Sequence, residues 1–101
     1  MQSALMITVG LNRGVISPQE AESQLKALKV RWQEWIDDGA IESFDCFLFQ
    51  TGNRLVRNAC LMLRGNEAQL NALRKAESFA AFEFESLQTY DNYTVELLAV
   101  A

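Results

Sequence analysis

The sequence contains no histidine, which removes the commonest general base and the commonest metal ligand together. A single proline, Pro18, and five glycines are too few for a disordered chain. Two cysteines, Cys46 and Cys60, do not build a disulfide scaffold, and two alone do not make a zinc site. No apolar run approaches the ~18 residues of a membrane span. The opening MQSALMITVG lacks the basic start and long apolar stretch of a secretory signal. The expectation is a cytoplasmic protein with reduced thiols and no membrane segment. A basic surplus is missing too: 9 Lys and Arg face 13 Asp and Glu, a net charge of −4, which argues against a nucleic-acid partner. Gly10-Leu11-Asn12-Arg13-Gly14 lacks the spacing and the Lys-Ser/Thr of a phosphate loop, and no cofactor is expected.

What is present is apolar: 50% of the 101 residues, enough for one core and one domain over 1–101. The charge is uneven. Residues 54–75 carry Arg54, Arg57, Arg64, Arg74 and Lys75 against Glu67, whereas 76–101 carry Glu77, Glu83, Glu85, Asp91 and Glu96 with no cation. These regions read either as two solvated faces or as complementary surfaces of a dimer.

Residues 4–11 (ALMITVGL) form an apolar, β-branched run that ends in Asn12-Arg13-Gly14, a strand followed by a turn. Ser17-Pro18-Gln19-Glu20 is a helix start with a capping box. Leu25, Leu28, Trp32, Trp35 and Ile36 then trace one helical stripe up to Gly39, giving a helix over 18–38. Residues 41–50 and 55–64 read as two strands of a hairpin around Thr51-Gly52-Asn53-Arg54. Asn66 caps a second helix, with Gln69 completing its box and Leu70, Leu73, Ala76, Ala80, Phe84 and Leu87 as its stripe. A break near Glu77-Ser78 fits this segment, and so does an alternating strand through Phe82 and Phe84. Residues 93–100 form the last strand. The order β-α-β-β-α-β predicts an α+β, ferredoxin-like fold: a four-stranded antiparallel sheet with its helices on one face.

Alternation along strands sorts side chains to the two faces of the sheet. Leu5, Ile7 and Val9, Phe47 and Phe49, Ala59, Leu61 and Leu63, and Tyr93, Val95 and Leu97 are expected under the helices. Met6, Thr8, Phe44, Cys46, Leu48, Asn58, Cys60, Met62, Thr94, Glu96, Leu98 and Val100 are expected on the other face. That second set is too apolar to stay wet in a soluble domain, so a homodimer through the sheet face is expected.

Gly39-Ala40-Ile41-Glu42-Ser43-Phe44, Leu63-Arg64-Gly65-Asn66 and Leu73-Arg74 followed by Phe79 carry a resemblance, over nearly the whole chain, to the dimeric α+β barrel proteins. The likeness is to small bacterial members without an assigned function. It implies two ferredoxin-like sheets facing each other. It also admits cofactor-free monooxygenases, isomerases, haem-handling enzymes and ligand sensors, although the histidines of several of those branches have no counterpart here.

Glu96 is the one ionisable residue expected on the inner face, and a carboxylate in an apolar cavity can act as acid or base. Thr8 and Asn58 share its parity and can orient a ligand or satisfy one another. Phe44 and Trp35 are expected to line the same cleft, Trp35 from the helix end. Arg54 and Arg57 can hold an anion. Cys46 and Cys60 are expected opposite one another on adjacent strands as reduced thiols. The functional expectation is a binding or regulatory module with a cleft for a small apolar ligand. The alternatives are a cofactor-independent enzyme on a small aromatic or lactone-like compound, with Glu96 as base, and a protein–protein adaptor using the acidic last third.

Overall fold

The computed structural model describes residues 2–10, 18–49 and 58–100. The elements run β1 (Gln2–Gly10), α1 (Pro18–Asp37), β2 (Ser43–Leu48), β3 (Ala59–Asn66), α2 (Glu67–Arg74), α3 (Glu77–Thr89) and β4 (Asp91–Ala99). The strands form one sheet in the order β2-β3-β1-β4, antiparallel at each pairing. Each helical crossover therefore skips one strand: α1 links β1 to β2, and α2 with α3 links β3 to β4. The Ser17 cap, the Thr51-Gly52-Asn53-Arg54 turn and the Arg54 and Arg57 side chains lie outside the described residues.

The end of α1 follows from Gly39. The Ala40 N–H reaches back to the Trp35 carbonyl at 2.8 Å and the Gly39 N–H to that of Ile36 at 3.0 Å, the paired bonds of a Schellman motif. Gly39 takes the left-handed conformation this requires, at φ +77°. The start of α2 is held by reciprocal bonds of 2.8 Å: the Gln69 N–H donates to Asn66 Oδ1, and the Asn66 N–H to Gln69 Oε1. Gln69 Nε2 also donates to the Gly39 carbonyl at 3.1 Å, tying the second helix start to the first helix end.

The expected second helix is two helices. Lys75 and Ala76 return their N–H groups to Ala72 and Leu73, and the chain bends before α3. The bend changes the phase of the stripe. Phe79, Phe82 and Ser86 point inward, whereas Phe84 and Leu87, expected inside, are exposed. The alternating-strand reading of this segment does not hold: one face of a 3.6-residue period buries two phenylalanines, and a strand would have aligned Phe82 with Phe84.

The core lies between the helices and one sheet face. It joins Leu5 and Ile7, Leu61 and Leu63, Trp32 and Trp35, Leu70 and Leu73, and Phe79 and Phe82. β2 departs from expectation. Phe44 pairs with Leu63, Cys46 with Leu61 and Leu48 with Ala59, so the even positions of β2 share the helix-covered face. Phe44 meets Trp32 edge to face, with centroids 5.4 Å apart, while Phe47 is exposed. Cys46 and Cys60 are accordingly not opposite one another, since Cys60 pairs with Phe47. No helix among the described residues is long and apolar enough to cross a membrane.

Candidate ligand cavity

The helices do not close on the sheet everywhere. Where the first half of α1 and the end of α3 pass over the ends of β1, β2 and β3, they leave a cavity of about 600 Å³. Its wall is mainly apolar, with Ile7, Val9, Leu28, Trp32, Leu61 and Phe82 as its larger side chains. Polar groups enter from Glu22, Gln24 and Lys29 on α1, Cys46 on β2, Cys60 on β3, Ser86 and Thr89 on α3, and Tyr90 just after it. Several are placed by local geometry. Leu25, Leu28, Lys29 and Trp32 fall on one side of α1 at spacings of three and four. Cys46 faces inward because Phe44 does. Tyr90 caps α3, its N–H bound to the Ser86 carbonyl at 2.9 Å, which holds its ring at the cavity end.

The electrostatics keep the interior neutral. Cys46 is exposed as a residue, yet partial burial still pushes its thiol up, and Lys29 only partly offsets it. Burial raises the Tyr90 hydroxyl as well, and charge on Cys46 would raise it further. At neutral pH both groups are protonated donors, and Cys46 is a poor nucleophile. Lys29 and Glu22 are both exposed and stand at the rim.

Tyr93, outside the cavity on β4, donates to Glu83 Oε2 at 3.1 Å. Burial raises its hydroxyl most, followed by the charge of Glu83 and the bond to it, with Arg74 opposing. Folded values above the unfolded ones mean that folding favours the protonated forms. The stability from Cys46, Tyr90 and Tyr93 is present below the unfolded values, 9.0 for the thiol and 10.0 for the phenols, and is lost as pH rises past them. Melting temperature is therefore expected to hold steady up to about pH 9 and fall beyond it, and Tyr93→Phe should fall less steeply. A parallel decline in both proteins would contradict the assignment to Tyr93.

The five residues expected to form one cleft are divided by the sheet. Phe44 lies on the helix side against Trp32. Trp35 is in the core with Phe79 and Phe82, its Nε1 donating to Ser78 Oγ at 3.1 Å, and it borders a separate groove between α2 and the end of α1. Thr8 and Glu96 are on the open face: Thr8 hydrogen-bonds Thr94, and Glu96 pairs across with Met6. Asn58 precedes β3, its backbone N–H bound to the Val9 carbonyl and its carbonyl to the Phe49 N–H. The sequence reading missed Leu28, Lys29 and Tyr90 as cavity residues. Only the placement of α3 gives Tyr90 a site. The groove between α2 and the end of α1 is more open and is edged by the small side chains of Ala68, Ala72 and Ala76.

No protein-family model and no curated protein matches the sequence. Solved structures match its trace. A dimeric protein of unknown function and ferredoxin-like fold from Bacteroides fragilis superposes with a TM-score of 0.70 at 11% identity, covering 98% of this chain and 96% of its own. The protein At3g17210 from Arabidopsis thaliana gives 0.75 at 12% identity, covering 98% and 95%. The fold is ferredoxin-like. In this ferredoxin-like domain the cavity lies under the helices, and among the described residues the opposite sheet face carries no helix.

Proposed function

We propose that the protein is a small-molecule-binding domain whose cavity takes a compact apolar or partly aromatic ligand, and that it works as a homodimer through the open sheet face. The observation that carries the reading is the cavity of about 600 Å³ with its apolar wall and few polar groups, the size and character of a small-molecule site. An unfilled apolar volume of this kind forfeits dispersion contacts, and a ligand restores them. The pairing is supported by Met6, Met62, Leu98 and the exposed Phe47 and Val100 on the open face. The B. fragilis protein of similar fold is itself described as dimeric.

The binding reading is tested by equilibrium dialysis with 2-ethylnaphthalene, which is apolar and compact. One molecule per chain is expected to bind saturably. Ala59 lines the cavity from β3, and Ala59→Phe fills part of it, so affinity should fall about tenfold or more with the fold retained by circular dichroism. Equal binding by the folded variant would place the ligand elsewhere.

A further inference from the structure

Two tryptophans on α1, Trp32 and Trp35, are equally buried, at 3% exposure each, yet their indole N–H groups differ. Trp35 Nε1 donates to Ser78 Oγ. Trp32 Nε1 is shielded from solvent and has no hydrogen-bond partner among the described residues. An indole nitrogen only donates, a buried one usually finds an acceptor, and one left unpaired keeps its full desolvation penalty. Trp32 is at the same time part of the cavity wall. In the wall of an apolar cavity an unpaired donor is a position from which a ligand can be read.

We propose that the cavity selects neutral apolar or aromatic molecules that carry a hydrogen-bond acceptor, a ketone, ester or ether oxygen, which takes the Trp32 Nε1–H. This rests on the cavity being the binding site. The oxygen reaches the donor by a small turn of the indole or of the half-buried Phe44 packed edge-on against it. The other polar groups agree. Cys46 and Tyr90 are protonated donors at neutral pH, and the hydroxyls of Ser86 and Thr89 and the amide of Gln24 can also donate as well as accept. The charges of Lys29 and Glu22 stand at the exposed rim with opposite signs, so no net charge calls for an ionic ligand.

The test uses two probes of like size, 2-acetylnaphthalene with a carbonyl and 2-ethylnaphthalene without one. The wild-type chain is expected to bind the ketone about tenfold more tightly, the worth of one recovered buried hydrogen bond. In the 15N-labelled protein the ketone should move the Trp32 indole proton downfield and leave that of Trp35 in place, with the two resonances assigned through Trp35→Phe. Trp32→Phe, which removes the donor, should bring the ratio of the two affinities to about one. Equal affinities in the wild type, or a ketone preference that survives Trp32→Phe, would overturn the inference and leave the cavity reading standing. If Trp32→Phe does not fold, an unmoved Trp32 indole resonance in the ketone-saturated wild type overturns it alone. If neither probe binds, the cavity reading fails and takes this inference with it.

Discussion

Phe79→Ala is expected to destabilise the fold by about 3–5 kcal/mol. Phe79 is 1% exposed, and its ring sits 5.9 Å from that of Trp35 and 5.8 Å from that of Phe82, centroid to centroid. These three rings join α1 to α3, so the truncation removes transfer energy and leaves a void that rigid aromatic neighbours cannot refill. In a domain of this size the melting temperature should fall by roughly 15–30 °C at fixed protein concentration. Phe84→Ala, on the same helix but facing solvent, should stay within about 0.5 kcal/mol of wild type. Scanning calorimetry on the two variants checks the contrast. Equal losses would mean that the bend at Lys75–Ala76 does not set the phase of α3.

Met62→Glu is expected to abolish the proposed dimer. Asp45, Met62, Met6 and Glu96 form one row across the open face. A third carboxylate in that row, repeated by two-fold symmetry, sets like charges against one another in an apolar contact. Such juxtaposition costs several kcal/mol, so the dissociation constant should rise by about a hundredfold or more. Sedimentation at micromolar concentration should give twice 11.4 kDa for the wild type and the single-chain mass for the variant. Val30→Glu, on the outer side of α1, should remain dimeric. A wild-type particle of 11.4 kDa would contradict the pairing.

How far the sequence foretold this structure differs from element to element. α1 was legible because its stripe, its proline start and its Gly39 stop all agree. The helix-covered faces of β1 and β3 were legible because Leu5, Ile7, Leu61 and Leu63 alternate with less apolar neighbours. β2 was not. Phe47 and Phe49 suggest an odd inward face, but within Ser43–Leu48 the odd positions also hold Ser43 and Asp45, and the register with β3 turns Phe44, Cys46 and Leu48 inward. The bend between α2 and α3 was located to within a few residues, but its effect on phase was not, because Phe84 and Leu87 continue the α2 spacing. The cavity was invisible for a different reason. Its wall is assembled from several elements whose separation is fixed by packing, and no local pattern records a space left between them. The sequence therefore directs attention to the open face, where Glu96 is the one carboxylate its alternation predicts.

Which face of the sheet binds a ligand is settled by chemical-shift mapping with saturating 2-ethylnaphthalene. The account predicts large shifts at Ile7, Leu28, Cys46 and Leu61, and none beyond small propagated changes at Met6, Met62, Leu98 and Glu96. Shifts centred on Met6, Met62 and Glu96, or no saturable shifts at all, would contradict it.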